Sequence, residues 1–228
     1  MRPPELSDVT FRPAADAAER DRGRRLQAAV YRSRGFVTGM EPGAMLVDDY
    51  VEIATYFVAV TGGGEIIGSA RLIPGELVVP PTLNTFHLDP PSREMVRTVG
   101  LDRIAEVASL ATDPTAPYPS FGVSAGLYRA MLHHSLGSGR RHDVWVAAVE
   151  PALLRILHRV MRIPLDVIGD PGPYFGAERT PIRIDLVPGM THVRRHEPEV
   201  WDFFQTGMVI DLTRSDAPAA ARADRTEG

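Results

Sequence analysis

An arginine and a glutamate lie inside two otherwise apolar stretches of the chain. Arg71 belongs to Ile67-Gly-Ser-Ala-Arg-Leu-Ile73, and Glu106 belongs to Ile104-Ala-Glu-Val-Ala-Ser-Leu-Ala111. Burying an unpaired charge costs several kcal/mol, so such side chains are usually paired or face a cleft. We therefore expect the guanidinium and the carboxylate to share one cleft and to form the wall of a site.

Composition removes several reaction chemistries. The chain of 228 residues has no cysteine and no lysine, so all 25 of its Lys+Arg residues are arginine. This excludes a thiolate nucleophile, a disulfide, Cys-ligated zinc, a Schiff-base lysine and a Walker A lysine. Any reaction must use carboxylates, hydroxyls, histidine, arginine and backbone donors.

Charge and hydropathy restrict the partners and the compartment. A net charge of −4 gives no reason to expect a nucleic-acid partner. The start of the chain lacks the apolar core of a signal peptide, and no apolar run is long enough to cross a bilayer. The sequence predicts a cytoplasmic protein with no integral membrane segment.

The order of apolar patterns predicts an α/β (α+β) fold built on one mixed sheet. Helices are predicted at 19–34, around 122–136, from Pro151 and at 199–206, and strands at 54–61, 65–73, 104–111, 144–149, 165–168 and 182–187. Residues 1–18 are predicted to be a flexible N-terminal arm and residues 213–228 a disordered tail. A single domain over 19–212 remains between them.

Several short motifs follow one another in a fixed order over roughly residues 20–188. They are Val30-Tyr31, Gly35-Phe36, Asp48-Asp49-Tyr50, Ala54-Thr-Tyr56, the two stretches around Arg71 and Glu106, Phe86, Gly169-Asp-Pro and Tyr174-Phe-Gly176. In this order they resemble the acyl-transferring branch of the GNAT superfamily, which contains autoinducer (acyl-homoserine-lactone) synthases and long-chain N-acyl amino acid synthases. The resemblance implies a mostly antiparallel central sheet flanked by helices, with a V-shaped cleft between the central strands.

The same resemblance implies an activity. An N-acyltransferase of this branch moves an acyl group from an acyl thioester to the amine of an amino-acid-like acceptor. The thioester would be carried by an acyl carrier protein or by coenzyme A, with no tightly bound cofactor and no metal. The usual GNAT pyrophosphate loop is poorly matched by residues 118–126, which favours the carrier protein.

The resemblance also suggests roles for individual residues. Glu106 would accept a proton from the attacking ammonium group, directly or through water, because a desolvated carboxylate has a raised pKa. Ser109 and the backbone near Ala108 would donate hydrogen bonds to the tetrahedral oxyanion. The simpler alternatives are a structural ion pair for Glu106 and ordinary packing for Ser109.

Four further residues are candidates for substrate binding. Arg71 could hold the carboxylate of the acceptor, or could join Asp48 and Glu106 in a rigid polar network. Asp48 could close the acceptor pocket. Phe36 and Phe86 could line the acyl channel, with core packing as their alternative.

The helix predicted from Pro151 has one apolar and one basic face. At 3.6 residues per turn, Arg155, Arg159 and Arg162 lie opposite the leucines of the same segment. This basic face could dock an acidic carrier protein, or could simply be solvated.

Two other functions stay open on the sequence alone. A catalytically inactive acyl-binding or regulatory module is one, because Gln27, Val51 and Ser109 replace charged residues of the autoinducer synthases. A serine hydrolase is the other, because Gly122-Val-Ser-Ala-Gly126 has the spacing of a nucleophile elbow.

Overall fold

Eight strands form one open sheet in the computed structural model, which describes residues 6–39, 41, 43–137, 141–207 and 212. The strands are β1 (Val9–Pro13), β2 (Thr55–Thr61), β3 (Ile66–Pro74), β4 (Ile104–Thr112), β5 (Val144–Val149), β6 (Asp166–Val167), β7 (Gly172–Tyr174) and β8 (Ala177–Asp185). Their order is β1-β2-β3-β4-β5-β8-β6, and β7 also pairs with β8. Only β4 and β5 are parallel. The expected mixed, mostly antiparallel sheet is confirmed.

Helices cover both faces of this sheet. They are α1 (Ala17–Ser33), α2 (Pro81–Thr85), α3 (Pro90–Val99), α4 (Ser120–Leu136), α5 (Pro151–Arg155), α6 (Leu186–His196) and α7 (Pro198–Gln205). A 3₁₀ turn over Leu101–Arg103 precedes β4, and a π-helical turn over Ile156–Val160 extends α5.

The two faces are distinguished by the alternation of side chains along the strands. The first face carries Ser69 and Arg71 of β3, and Gly23 of α1 approaches Ser69 so closely that a Cβ there would lie 2.7 Å from its hydroxyl oxygen. The second face carries Gly68, which α4 approaches with Val123. Helix α1 therefore packs on the first face and α4 on the second.

The central strands β4 and β5 separate after a short paired segment. Three residue pairs join them, and the last is Glu106 with Val146. Beyond that pair, six residues of β4 and three of β5 continue without pairing to each other. The expected V-shaped opening is confirmed, and Glu106 lies at its vertex.

A β-bulge bends β4 just above this vertex. Arg71 pairs with Ala108 and Ser69 pairs with Ala111, so Ser109 and Leu110 both stand opposite the single residue between them on β3. Ser109 has φ of +60°, in the left-handed region that non-glycine residues rarely adopt. The bulge thus removes two residues from the regular ladder beside the opening.

The N-terminal segment differs from the flexible arm expected over residues 1–18. Residues Val9–Pro13 form β1, which pairs with β2, and α1 already begins at Ala17. A Cβ on Gly126 of α4 would lie 2.3 Å from the Phe11 ring, so this edge strand is packed closely. Most of residues 9–18 therefore lie in β1 and the start of α1, because Phe11 packs on an apolar surface that no local pattern reveals. Residues 213–228, predicted to be a disordered tail, lie outside the described residues.

Candidate active site

A cavity of about 360 Å³ passes through the opening between β4 and β5. On the second face it is lined mainly by apolar side chains of α4, α5 and the π-helical turn, among them Phe121, Leu153, Leu157 and Met161. On the first face it is lined by Tyr31, Phe36, Arg71, Tyr174, Phe175 and Arg179. One end of the cavity is therefore apolar, and the other end is aromatic and cationic.

Arg71 lines the cationic end, but its charge is already paired. Its two terminal nitrogens donate to the two carboxylate oxygens of Asp48 at 3.0 and 2.5 Å, and Nη1 also donates to the Tyr56 hydroxyl at 3.2 Å. The guanidinium carbon lies 6.0 Å from the Tyr50 ring centroid and 5.9 Å from that of Tyr56. Burial would lower the pKa of Arg71, but the hydrogen bonds and charge interactions with Asp48 and Tyr56 together outweigh burial and raise that pKa. These contacts fit the polar-network alternative for Arg71 better than a free carboxylate clamp.

Glu106 lies on β4, whose next residues line the cavity, but its own side chain is buried. Its side chain is on the same sheet face as Arg71, yet the residue is 1% exposed and does not line the cavity. One carboxylate oxygen accepts a hydrogen bond from the backbone N–H of Thr82, in α2, at 2.6 Å. Burial raises the pKa of Glu106 to about 7, although the Thr82 hydrogen bond and the charge of Arg71 act in the opposite direction. The expectation that both charges open onto the cleft holds for Arg71 and not for Glu106.

Tyr174 is a cavity-lining residue whose phenol is close enough to be affected by the charge of Glu106. It lines the cavity, and burial raises the pKa of its phenol, with a further contribution from the charge of Glu106. Its ring lies 4.8 Å from the ring of Phe175. Phe175 and Gly176 have φ of +45° and +70°, and a Cβ on Gly176 would lie 2.5 Å from the carbonyl oxygen of Phe36. The tight turn between β7 and β8 thus sets the positions of the aromatic side chains at this end.

The two phenylalanines predicted to line an acyl channel have different positions. Phe36 lines the cavity and contacts Tyr31 edge-to-face, with 5.7 Å between ring centroids. Phe86 belongs to a buried apolar cluster on the first face, with Ile104 and Val146, and does not line the cavity. Phe86 therefore lies behind the cavity-lining Tyr174, with 5.7 Å between the two ring centroids.

Ser109 lines the cavity where the bulge interrupts β4. The strand has no partner from β5 at this point. The bulge therefore lies beside the opening, at the place where the sequence predicts the oxyanion donors.

Arg179 was not identified from the sequence. It is 6% exposed, lines the cavity, and lies with its guanidinium carbon 4.7 Å from the Phe36 ring centroid. Its Nη1 forms an ion pair with Glu150 at 2.6 Å. The signal was an arginine inside the apolar strand pattern of β8, the same signal that marked Arg71, but the predicted strand began three residues too late to include it.

The basic surface predicted around Pro151 is exposed in the structure. Arg155 and Arg159 are exposed and form no ion pair with another residue of the described ranges. Arg162 is also exposed but donates to Glu197 at 2.8 Å. The segment is an α-helical turn followed by a π-helical turn, and the wider π turn leaves Ile156 partly exposed beside these arginines.

The nucleophile-elbow interpretation is wrong. Ser124 lies inside α4, whereas an elbow requires a sharp turn from a strand into a helix. Within the described ranges, no group of three or more His, Asp or Glu side chains could hold a metal ion. No described helix has the length and apolar character needed to cross a membrane.

A splayed β4–β5 pair, a bulge at the opening and a cavity through it define a GNAT-like fold. Three solved structures share this fold over most of their length. FeeM, described as an N-acyl amino acid synthase from uncultured soil microbes, has 17% identity and a TM-score of 0.60, covering 82% of this chain and 96% of that one. The acyl-homoserine-lactone synthase LasI has 16% identity and a TM-score of 0.59, with coverage of 89% and 96%. TofI, in a ternary complex with an inhibitor and MTA, has 14% identity and a TM-score of 0.56, with coverage of 85% and 99%.

The family follows from the sequence itself. The family model for N-acyl amino acid synthase FeeM matches residues 22–183, so the chain belongs to that family and is an acyltransferase. No curated protein sequence matches the chain significantly. The family assignment favours the transferase over the inactive module and the hydrolase.

Proposed function

We propose that the protein transfers an acyl group from a carrier-protein thioester to the amine of an amino-acid-like acceptor. The observation that carries this proposal is the polarity of the cavity, which is apolar on one face of the sheet and aromatic and cationic on the other. A volume of about 360 Å³ falls within the range of about 300–1,000 Å³ that is typical of small-molecule sites.

Each end of the cavity suits one substrate. An acyl chain buries its surface best among Phe121, Leu153, Leu157 and Met161, since burial of apolar area contributes about 25 cal/mol per Å². A charged acceptor is better accommodated beside the arginines and tyrosines of the first face. The thioester carbonyl would then lie between the two ends, at the bulge around Ser109.

The base requires a group that connects Glu106 to the cavity. An ammonium group must lose a proton before it attacks the thioester, and a pKa near 7 suits Glu106 to accept that proton at neutral pH. Because the carboxylate does not line the cavity, the proton passes through a bridging water or the Tyr174 hydroxyl. The amine nitrogen then forms the new bond to the carbonyl carbon and the carbon–sulfur bond breaks. A second proton from that nitrogen goes to the departing thiolate, so the donor leaves as a thiol.

A carrier protein is proposed as the donor because of the exposed surface formed by Arg155 and Arg159. These two side chains lie on the helix that also supplies cavity-lining residues, so a carrier bound there would be close to the apolar end. Carrier proteins are acidic, and opposite charges favour association and orientation. Arg162 contributes less, because Glu197 already pairs with it.

Thiol release tests the proposal. Acyl-carrier-protein and acyl-CoA donors are each incubated with the protein, with and without a panel of amino acids, and free thiol is measured. CoA is included because one structural neighbour, BjaI, is described as a CoA-dependent acyl-homoserine lactone synthase. The proposal expects release that depends on the amino acid and is faster from the carrier protein. Release without an amine would indicate a hydrolase, and no release from either donor would contradict the proposal.

Charge reversal tests the docking surface separately. The double variant Arg155→Glu/Arg159→Glu should weaken carrier-protein binding at least tenfold, and the loss should shrink as salt is raised. Arg195→Glu, at an exposed arginine of α6, is the matched control and should bind normally. Unchanged affinity in the double variant would rule out this surface.

A further inference from the structure

Three arginines line the cavity, but they differ in what they already bind. Arg71 is held by both oxygens of Asp48 and by Tyr56. Arg34 has a side chain that is 58% exposed and lies at the rim. Arg179 is buried and, among the described residues, donates no hydrogen bond that meets normal geometry. Arg71 also has a buried Nε without a hydrogen-bond partner, but Asp48 occupies both of its terminal nitrogens. Arg179 is therefore the buried arginine of this cavity that has N–H groups left for a ligand.

The contacts of Arg179 fix its position while using only one of its three guanidinium nitrogens. The Phe36 ring packs against the guanidinium, and Glu150 supplies a single ion-pair contact at 2.6 Å to Nη1. This contact is not aligned as a hydrogen bond, so it compensates the charge of Arg179 and leaves the other N–H groups for a ligand. A buried donor left unpaired destabilises the protein, and a ligand with the right acceptors recovers that cost.

The ligand chemistry follows from the shape of the guanidinium. Its planar edge presents two parallel N–H groups, which match the two oxygens of a carboxylate. Arg179, Arg71 and Tyr31 all line the cavity, and both arginine charges act on the Tyr31 phenol, so the site is at the same end as the Arg71 network. Glu150 has a side chain that is 32% exposed and can move aside or contact an ammonium group.

We propose that Arg179 binds the α-carboxylate of the amino-acid acceptor, positioned by Phe36 and Glu150. This rests on the proposed function for the identity of the acceptor, and assigns the carboxylate to Arg179 instead of Arg71. The other source of an oxyanion is the phosphate of the donor's pantetheine arm. The acceptor is favoured because Arg179 is buried at the aromatic and cationic end of the cavity, whereas the exposed Arg155 and Arg159, proposed to bind the carrier protein, are on α5 and the π-helical turn.

Equilibrium binding tests the assignment without requiring turnover. The twenty common amino acids are screened by calorimetry against the intact protein, and each one that binds is measured again as its α-amide. Wild type should bind the acid more tightly than the amide. Arg179→Gln should weaken binding of the acid tenfold to a hundredfold and leave the amide nearly unchanged. Arg183→Gln is the matched control, because Arg183 is on the same strand and sheet face but pairs with Asp166 outside the cavity.

Additional variants and ligands distinguish carboxylate binding by Arg179 from a purely structural role of Arg179. They also distinguish failure of this proposal from failure of the proposed function. Arg179→Lys keeps the charge without the two-pronged edge and should bind the acid with intermediate affinity, which keeps the test valid if Arg179→Gln does not fold. The proposal would be overturned if Arg179→Gln weakened binding of acid and amide equally, or if it weakened only the binding of 4′-phosphopantetheine. It would also be overturned if wild type bound no amino acid. Carboxylate-dependent binding through Arg179 without acyl transfer would leave it standing while contradicting the proposed function.

Discussion

At the scale of single residues, the buried Glu106 carboxylate destabilises the fold when it is ionised, and the same raised pKa suits it to act as a base. Its pKa is near 7 when folded and about 4.5 when unfolded, so the folded protein binds this proton more tightly. The stabilising contribution of protonated Glu106 is therefore complete below pH 4.5 and is lost as pH rises through 7. The Glu106→Gln variant removes this ionisation, and we expect its free energy of unfolding at pH 8 to exceed that of wild type by roughly 3 kcal/mol.

The same variant should lose activity. As a base, Glu106 must be ionised, so wild-type kcat/KM should rise with pH through about 7. Glu106→Gln should lower the rate by about 10²–10⁴ and should abolish that rise. Chemical denaturation and pH–rate profiles of both proteins check the two expectations. A variant that is more stable but equally active, with the same profile, would show that Glu106 is only a buried structural acid.

Asp48 tests the alternative role of Arg71 as part of a network. Asp48→Asn would leave the charge of a 5% exposed arginine without its main partner. Breaking a buried pair costs about 3–5 kcal/mol, and the partial exposure of Asp48 should reduce this to about 2–3 kcal/mol. Urea unfolding measures the loss. Glu52→Gln, which removes an exposed partner of Arg20, is the control and should change stability by less than about 1 kcal/mol.

At the scale of elements, the bulge in β4 should matter through its backbone more than through the Ser109 hydroxyl. Ser109→Gly accepts a positive φ without strain and should keep most of the activity, as should Ser109→Ala. Ser109→Val should lose about 10²–10³ in rate, because a branched side chain disfavours that backbone conformation and would distort the oxyanion donors. Steady-state rates and circular dichroism of the three variants check this. A large loss in Ser109→Ala with an intact fold would instead assign the donor to the hydroxyl.

The elements that the sequence predicted well are those with a local pattern. The apolar run Val144–Val149 is β5 with the predicted bounds, and the glycine turn at 62–64 joins β2 to β3 as expected. The π-helical turn and the bulge could not be predicted, because both depend on where the opening in the sheet interrupts regular hydrogen bonding. The sequence also identified Arg71 and Glu106 as buried charges. It could not show that Asp48 pairs with both terminal nitrogens of Arg71, or that Thr82 of α2 donates a hydrogen bond to Glu106.

At the scale of the whole molecule, the functional regions meet because the sheet is open in its middle. Strands β4 and β5 hold together at one end, so one cavity reaches both faces. The first face contributes charged and aromatic groups, and the second contributes apolar helices. Separate substrates can therefore approach from opposite faces and react at the bulge, which a continuous sheet would prevent.

Acid stability should also be a property of the whole fold, controlled partly by a buried histidine between α4 and β5. His142 is 6% exposed and lies 3.3 Å from the Ser135 hydroxyl, which accepts a hydrogen bond from Trp145. Burial lowers the pKa of His142 to about 4 from about 6.5. The folded protein thus binds this proton less tightly, so the stabilisation is present above pH 6.5 and is lost as pH falls towards 4.

We expect this titration to account for roughly 3 kcal/mol of the stability lost between pH 6.5 and 4. His142→Asn, which can keep a hydrogen bond to Ser135, should be less stable than wild type at pH 7 but should lose less stability on acidification. His196→Asn, at an exposed position of α6, is the control and should follow the wild-type pH dependence. Urea unfolding at several pH values measures all three proteins. Parallel curves for His142→Asn and wild type would show that carboxylates such as Glu19, whose pKa is lowered to about 2 by Arg12, dominate acid unfolding instead.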